Sequence, residues 1–444
     1  MNEIIIFVLI TLFGVMLVRL MSKNIPILEN WSIGFLIGLG LTTFTSFVFS
    51  WVGIKITYVS VVSLLLIGLI VTVFIFFFLK RNLKSIFNFN LKYKNKLGIT
   101  EKIAILAIIV IALSSLLITI YYPVNAWDAL ALYDFRARVI VDFGYFVQIA
   151  KNYTYFSHYP LFTSLTHTFV YLSGGKNPQF LYSLYLISFA VAFYSLLKRS
   201  VKRNIALLST LFLMLIPELF ENSTISYTNL PYTAFYVLGI IYLLRACTKK
   251  QNGYILLGSL LVGLSTWVRS DLPFWITGVL IIAIYSWRVR KITPLLLYLP
   301  PFLIIQQVWN RFASGIYGNY YTTTGQLSAA GLSVLTRFDF NRVVEVFVYL
   351  YKNVFFIWGF LSIIFIISIL IHIKQKMNKE SLIILSVILF NLFGLFVGTY
   401  IFSFRVAEWK EIGDSATRMS MFFPPLIIYY VSTVLNYKIY EDRN

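Results

Sequence analysis

Two aspartates and two arginines stand close together in residues 127–138, directly after an apolar run at residues 103–122. Acids are scarce in this chain, which has 17 Asp and Glu among 444 residues. A charge at the mouth of a membrane helix costs free energy unless it is solvated or used, so the cluster predicts a functional site. A carboxylate there could act as a general base on a substrate hydroxyl. An arginine could bind a phosphate through two hydrogen bonds and stabilise its charge.

Asp128 is the principal candidate for a functional carboxylate in this segment. It has no basic residue three or four positions away, and it follows Trp127, a residue type suited to a membrane interface. Asp134 and Arg138 are four residues apart, so on a helix they could simply pair. Arg136 and Arg138 could be ordinary interfacial anchors. Asp128 and Asp134 lie on different faces of a helix, because each residue turns the helix by about 100°, so we do not expect an acidic dyad.

Further candidates stand at the ends of other apolar runs, on the same predicted side of the membrane. His158 and Tyr159 lie in a sequence that could also form an ordinary turn. Arg269 and Asp271 are close enough in sequence to satisfy each other, and Arg418 could extend its charge to the interface from the start of an apolar run. The acidic and basic candidates on this side are Asp128, Asp134, Arg136, Arg138, His158, Glu218, Glu221, Arg269, Asp271, Arg405, Glu408, Asp414 and Arg418.

The sequence contains no metal-binding constellation. The histidines are too few and too dispersed for a histidine-rich site, although carboxylates leave a bound Mg²⁺ or Mn²⁺ open. There is also no P-loop and no dinucleotide fingerprint, which argues against nucleotide-fuelled transport by this chain. The three histidines are His158, His167 and His372.

The composition predicts an all-α integral membrane protein. Hydrophobic residues make up 59% of the chain and charged residues only 12%, whereas a soluble domain carries about 25% charged residues. Apolar runs of about 20 residues recur, and each can cross a bilayer as a helix, whereas barrel strands would show short alternating segments. The net charge of +20 comes from basic residues in short loops between apolar runs. This pattern is typical of topology signals, so we expect membrane lipids and no nucleic acid as partners.

We interpret 13 apolar runs as membrane-spanning helices. Basic loops and acidic loops alternate along this series, as the positive-inside rule requires. The alternation places the N-terminus outside and the tail at 437–444 in the cytoplasm, and we expect a prokaryotic plasma membrane because we read no eukaryotic sorting signal. The predicted spans are 3–21, 31–52, 57–79, 103–122, 178–197, 204–219, 231–247, 254–268, 272–287, 292–308, 346–371, 381–402 and 419–436.

Two predicted outer loops are long, at residues 123–177 and 309–345. Long loops of this kind often serve as lids or binding loops. Residues 160–173 in the first loop are apolar but too short to span comfortably. We expect them to form a helix at the outer interface or dipping into it.

Four segments resemble the GT-C superfamily, whose members are polytopic glycosyltransferases that use polyprenyl-phosphate-linked sugars. The likeness is to the protein-mannosyltransferase-like and aminoarabinose-transferase-like branch, and the order and sidedness of the segments agree across residues 103–436. The segments are YYPVNAWDALALYDFRAR (121–138), SHYPLFTSL (157–165), STWVRSDLPFW (265–275) and DSATRMSMFFPP (414–425).

The resemblance implies an inverting transfer of sugar on the outer face of the membrane. Asp128 would be the base that activates an acceptor hydroxyl, and attack on the anomeric carbon would release polyprenyl phosphate. The donor would be a polyprenyl-phosphate sugar, and the acceptor a glycan, a lipid or a protein. Arg269 and Arg418 would hold the phosphate. The other residues expected to bind substrate or shape its pocket are Asp134, Arg136, Arg138, His158, Tyr159 and Asp271.

The chain departs from the family pattern in two places. Asn229, in YTNLPYTAFY (227–236), stands where the pattern has an aspartate, which weakens any second acidic role there. Three predicted helices precede the helix at 103–122 that leads into the catalytic loop, whereas relatives usually have one helix before that loop. Residues 1–102, which end in a basic cytoplasmic loop, can therefore be interpreted as an appended module in front of a catalytic module at 103–436.

Two other functions stay open from the residues alone. An outer-face polysaccharide polymerase or ligase would depend on outer-loop arginines such as Arg311, Arg337 and Arg342. A transporter for a lipid-linked glycan would need charged residues along a transmembrane path, and the predicted helix interiors carry almost none.

Overall fold

The fold is all-helical, as predicted, in the part of the chain that the structure describes. His158 and Asp271, two of the predicted site residues, lie outside that part. This structure is a computed structural model that describes residues 2–23, 25–79, 96–146, 159–269, 272–317, 333–336, 338–374, 379–404, 406–411 and 413–441.

The helices up to residue 250 include both long apolar helices and short connecting ones. A π-helical turn at Ala129–Asp134 leads into one of the short helices. In chain order these helices are α1 (Asn2–Met21), α2 (Ile27–Trp51), α3 (Tyr58–Phe78), α4 (Ile99–Tyr121), α5 (Phe135–Phe143), α6 (Phe162–Leu172), α7 (Phe180–Leu197), α8 (Arg203–Met214), α9 (Pro217–Asn222) and α10 (Asn229–Lys249).

The helices after residue 250 are less regular, because a 3₁₀ turn at Ser333–Thr336 and a π-helical turn at Tyr351–Phe355 interrupt the series. They are α11 (Asn252–Val268), α12 (Leu272–Val289), α13 (Thr293–Tyr317), α14 (Phe340–Leu350), α15 (Phe356–Trp358), α16 (Phe360–Lys374), α17 (Lys379–Ser403), α18 (Gly413–Met419) and α19 (Phe423–Glu441).

The long apolar helices make this a multi-pass membrane protein. Seven helices in the described ranges are long and apolar enough to cross a bilayer: α1, α2, α3, α4, α7, α10 and most of α17. An eighth span results if the bent pair from α14 to α16 is counted as one crossing, and α8, α11 and parts of α12 and α19 are shorter apolar helices. The prediction of 13 spans is therefore not confirmed in full.

Two of the predicted spans are interrupted. The span predicted at 204–219 ends at Met214, and α9 begins at Pro217, because proline has no amide hydrogen to continue the helical ladder. The span predicted at 346–371 is not one helix, since the chain bends by 93° between α15 and α16. Gly359 stands at this bend with a φ of 45°, a left-handed backbone angle that glycine adopts at little cost.

The core lies around α10, while other long helices stand at the periphery. In the most apolar stretch of α10, 94% of the residues are buried, against 17% in α4. Large side chains on α4 such as Leu106, Leu117 and Ile120 are exposed in the structure. Exposed aliphatic side chains on a membrane helix face lipid, so α4 lines the outside of the bundle and α10 its centre.

Helix α2 belongs to this core, although it comes early in the chain. It packs closely on α1, where a Cβ added at Gly14 would lie 1.9 Å from the Gly34 carbonyl oxygen, so only glycine fits. It also packs against α6, α7 and α11. The proposed boundary at residue 102 stays a prediction, but α2 shares one hydrophobic core with the helices that follow it.

The apolar segment at 160–173 forms a helix, α6, as predicted. Its location at the membrane interface is not confirmed. Every residue from Phe162 to Val170 is buried, since α2, α5 and α11 all pack against the helix. Helix α6 therefore lies inside the bundle.

The bundle has two chemically distinct ends. At one end, which we call the Asp128 end, the Asn177 side chain donates hydrogen bonds to the carbonyls of Thr119 and Tyr122. At the other, which we call the Glu29 end, Glu29 pairs with Arg199. In both cases the residues in contact come from segments that the charge pattern predicts to lie on one side.

Candidate active site

Asp128 and Arg418 meet at the Asp128 end of the bundle. Asp128 immediately precedes the π-helical turn, and Arg418 lies on α18 near the other end of the chain. The Arg418 Nη1 atom donates to Asp128 Oδ2 over 3.3 Å. The side chains are 42% exposed for Asp128 and 27% for Arg418, so both groups remain accessible from outside. The structure thus brings together the predicted base and one predicted phosphate ligand.

The Arg418 guanidinium also lies over an aromatic ring. Its Cζ atom is 5.4 Å from the centre of the Tyr227 ring, within the distance of a cation–π interaction. On the preceding residue, the Thr417 hydroxyl donates to the Asn353 carbonyl over 2.7 Å. These contacts fix α18 to the π-helical turn at Tyr351–Phe355 and orient the guanidinium.

A cavity of about 180 Å³ opens beside this arginine. Its wall contains two carboxylates, an amide, a hydroxyl, an aromatic ring and the guanidinium. Such a mixture of donors and acceptors suits a polar ligand with several hydrogen-bonding groups. The lining residues are Glu218, Glu221, Asn222, Ile225, Tyr227, Thr417 and Arg418.

Arg269 is connected to the wall of this cavity by two amides. The Arg269 Nη1 atom donates to the Asn229 Oδ1 atom over 2.6 Å, and Asn229 in turn donates to the Asn222 Oδ1 atom over 3.4 Å. The Arg269 guanidinium lies 5.4 Å from the ring centre of Tyr159. Arg269 therefore stands behind the cavity wall, and whether Asp271 pairs with it falls outside the described residues.

Arg136 is fully buried and supports this arrangement from behind. It donates to the carbonyl of Leu132 over 2.8 Å and to that of Tyr159 over 3.0 Å, and it lies 5.5 Å from the ring centre of Tyr133. Its guanidinium thus holds Tyr159, over whose ring the Arg269 guanidinium lies. The alternative that Arg136 is an ordinary interfacial anchor does not fit this burial, because no part of its side chain is exposed.

Asp134 forms a buried polar centre of its own. It accepts a hydrogen bond from Arg138 Nε over 2.8 Å, one from the Tyr171 hydroxyl, and lies 3.3 Å from His167 Nδ1. Burial opposes its charge, but the hydrogen bonds of His167, Tyr171 and Arg138 outweigh that effect and lower the pKa of Asp134 to about 2. Burial lowers the pKa of His167. This network realises the predicted Asp134–Arg138 pair and joins α5 to α6.

Within the described ranges, no group of three or more His, Cys, Asp or Glu side chains is arranged to hold a metal ion. The two carboxylates of the cavity wall are Glu218 and Glu221. The divalent cation that the sequence left open stays a prediction.

Comparison with known proteins bears on the middle of the chain. The family model of dolichyl-phosphate-mannose-protein mannosyltransferases matches residues 158–309. That family is part of the GT-C superfamily. The resemblance inferred from the sequence is thus confirmed over this segment, about a third of the chain, and it implies a GT-C-type glycosyltransferase with a lipid-linked sugar donor and an acceptor. Comparisons with curated proteins and with solved structures gave no match.

The matched GT-C segment contains part of the site only. Tyr159, Asn229 and Arg269 lie inside it, as do the cavity residues of α9. Asp128 lies before the segment and Arg418 after it. The cavity therefore combines residues from within the matched segment with the Arg418 guanidinium from outside it, and Asp128 joins the site through its contact with Arg418.

Sequence reasoning did not single out most of the cavity wall. Asn222, Tyr227 and Thr417 have ordinary residue types in ordinary contexts, and only the fold places them together. Glu218 and Glu221 stood among the charged candidates without a reason to prefer them. The proline at position 217 was the one available signal, because a helix break turns the following residues away from the span.

Proposed function

We propose that this protein is a glycosyltransferase that moves a sugar from a polyprenyl-phosphate donor to an acceptor hydroxyl. The reaction takes place at the Asp128 end, on the outer face of a prokaryotic plasma membrane, with the N-terminus outside and the C-terminus in the cytoplasm. The observation that carries this proposal is the accessible Asp128–Arg418 pair beside a cavity with polar walls. The GT-C match over residues 158–309 supports the class of reaction.

Asp128 is the general base of the proposed reaction. Its carboxylate takes the proton of the acceptor hydroxyl while that oxygen attacks the anomeric carbon of the donor. The bond from the anomeric carbon to the phosphate oxygen breaks, its electron pair leaves with polyprenyl phosphate, and the configuration at the carbon is inverted. The proton ends on Asp128, so atoms and charge balance without a further reactant.

Arg418 stabilises the charge that develops on the leaving phosphate. A guanidinium can bind a phosphate through two parallel hydrogen bonds, and in a partly desolvated site this interaction is stronger than in water. In the empty site Arg418 pairs with Asp128. The donor phosphate is a diester with one negative charge, and a second charge develops on it as the bond to the anomeric carbon breaks. Arg418 therefore binds this phosphate most strongly in the transition state and leaves Asp128 available to the acceptor.

Arg269 supplies a second guanidinium at the same end. Its contacts to Asn229 and to the Tyr159 ring hold it against the wall that contains Asn222. We assign it to the phosphate of the donor. Arg136 acts through Tyr159 as a positioning residue.

Two of the three arginines on which a polymerase or ligase would depend, Arg311 and Arg342, do not line the cavity. Arg342 pairs with Glu345 over 3.1 Å, and Arg311 is exposed on α13. Neither lines the cavity, and Arg337 falls outside the described residues. The geometry therefore favours a site built on Asp128.

A transfer assay on the Asp128→Asn variant tests the proposal. We expect purified wild-type protein to release sugar from at least one member of a panel of labelled polyprenyl-phosphate hexoses and pentoses. Asp128→Asn should lower the rate by about 100-fold or more, since a general base contributes about 10²–10⁴-fold.

Asp142→Asn is the matched control, because Asp142 is an exposed aspartate on α5 of the same loop. It should transfer sugar at the wild-type rate. Transfer by Asp128→Asn at the wild-type rate would remove the proposed base.

A further inference from the structure

The helix break at Pro217 places three polar residues along the cavity. Helix α8 ends at Met214, and α9 starts with Pro217 at its first position, where its missing amide hydrogen is harmless. The six residues of α9 carry Glu218, Glu221 and Asn222, and all three line the cavity. One turn of helix thus supplies one side of the wall.

This turn is fixed to the bundle by buried hydroxyl groups. Ser223 directly follows α9, and its Oγ atom lies 2.7 Å from Ser115 Oγ on α4. Ser115 lies 2.7 Å from Ser183 on α7, which lies 2.8 Å from Thr119. All of these hydroxyls are buried. A site whose residues stand on a rigid element discriminates well between ligands, because its groups do not move to accommodate a poor fit.

Glu218 is held in this wall under conditions that disfavour a free carboxylate. It is half-buried, whereas Glu221 is exposed. Burial, and the nearby charge of Glu221, raise the pKa of Glu218. Among the described residues, no other side chain forms a hydrogen bond with its carboxylate, although Arg418 lines the same cavity. Partial desolvation of a carboxylate is costly unless hydrogen-bond donors compensate, and the hydroxyls of a sugar are such donors.

The size of the cavity limits the ligand. Pockets for drug-sized molecules have volumes of about 300–1,000 Å³, and this cavity has about 180 Å³. The space suits a single sugar ring. The arginine that receives the phosphate in the proposed reaction lines the same cavity. Because the phosphate is bonded to the anomeric carbon of the donor, the ring in the cavity is the one that is transferred.

We propose that this cavity binds the transferred sugar and that Glu218 determines which sugar is accepted, by accepting hydrogen bonds from its ring hydroxyls. The inference rests on the proposed function and adds to it a residue that selects the substrate. Glu218 does not touch the bond that breaks. Its effect is on donor recognition.

Deoxy donors test this assignment. For the donor that wild-type protein uses best, the 2-, 3-, 4- and 6-deoxy analogues each lack one hydroxyl. In the wild type, removal of the hydroxyl that donates to Glu218 should lower kcat/KM by about 10- to 100-fold, as expected for a hydrogen bond to a charged group. In Glu218→Gln the penalty for that same analogue should fall to about fivefold or less, and the KM for the full donor should rise.

Three further variants make the result specific. Glu345→Gln removes a carboxylate at the same end but outside the cavity, and it should keep every wild-type penalty. Loss of the penalty in Glu221→Gln and not in Glu218→Gln would assign the contact to the other acid and overturn the proposal. If Glu218→Gln does not fold, Glu218→Asp provides the same comparison, since it withdraws the carboxylate by one methylene.

The outcomes separate the two proposals. Unchanged penalties in the Glu218 variants, with wild-type transfer intact, overturn the role of Glu218 and leave the glycosyltransferase standing. Absence of transfer from every donor by the wild type overturns both.

Discussion

The two ends of the bundle each hold a carboxylate paired with an arginine, but the pairs differ in geometry. At the Glu29 end, Arg199 Nη2 lies 2.6 Å from Glu29 Oε2, the Glu29 side chain has no exposed surface, and the Tyr242 hydroxyl donates to its other oxygen over 2.5 Å. At the Asp128 end, one contact of 3.3 Å joins two partly exposed side chains. The first pair is saturated with partners, whereas the second retains access to a ligand.

A second pair at the Glu29 end repeats the closed geometry. Arg203 binds Glu101 through two hydrogen bonds of 2.7 and 2.6 Å. This fork leaves little of either group for another ligand. An ion pair near the end of a membrane helix therefore indicates a substrate site only when its contact is long, its side chains are partly solvated and a cavity lies next to it.

The largest effect on stability should come from breaking the Glu29–Arg199 pair. Arg199→Met leaves the charge of Glu29 buried without its main partner, and removing one member of a buried pair costs about 3–5 kcal/mol. We expect a strong drop in the unfolding temperature and in the yield of folded protein, measured by thermal unfolding in detergent. Lys198→Met, an exposed change on the same turn, should shift stability by less than about 1 kcal/mol. Equal stability of both variants would contradict the distinction between the ends.

Substitution of Arg418 in the Asp128–Arg418 pair should lower activity and hardly change stability. Arg418→Lys keeps the charge but loses the planar fork that binds phosphate through two hydrogen bonds. We expect kcat/KM for the lipid donor to fall by about 100-fold, while the free energy of unfolding changes by less than about 1 kcal/mol. A steady-state transfer assay and thermal unfolding of the same preparation measure both quantities. A variant that transfers normally, or that loses activity only because it unfolds, would contradict the role of Arg418.

Substitution of Asp134 should have a smaller effect on stability. Its carboxylate lies at the Asp128 end, but like Glu29 it is buried among hydrogen-bond partners. Its folded pKa of about 2 lies below the ordinary value of 3.8, so its charge contributes stability above about pH 4 that is lost as the pH falls towards 2. We expect Asp134→Asn to be less stable than the wild type by about 2 kcal/mol above pH 4, and the difference to shrink on acidification. Thermal unfolding between pH 2 and pH 6 measures it. A gap that stays constant with pH would contradict the buried network, and Asp142→Asn should show no such gap.

Much of the helical framework could be predicted from hydrophobic runs alone. The runs at 3–21 and 103–122 correspond to α1 and α4 within a few residues. The bend at Gly359 could not be predicted, because the residues on both sides are uniformly apolar and the turn depends on one backbone angle. Enclosure of the segment at 160–173 was equally invisible, since it depends on which helices pack over it.

The candidate site was accessible to sequence reasoning in part. Asp128 stood out because it lacked a local partner, and the structure gives it a distant one. Asp134 and Arg136 carried the same residue types in the same segment, yet both are buried by contacts with residues 159–171, which no local pattern reveals. The cavity wall combines α9 with α18, and a set of contacts across about 200 residues has no signature in a single sequence.

Asp128 and Arg418 stand 290 positions apart along the chain. During synthesis, Asp128 is added to the polypeptide long before Arg418. A nascent chain that stops short of α18 therefore carries the aspartate without its guanidinium, however well its earlier helices have inserted. Assembly of this site therefore waits until α18 has been synthesised.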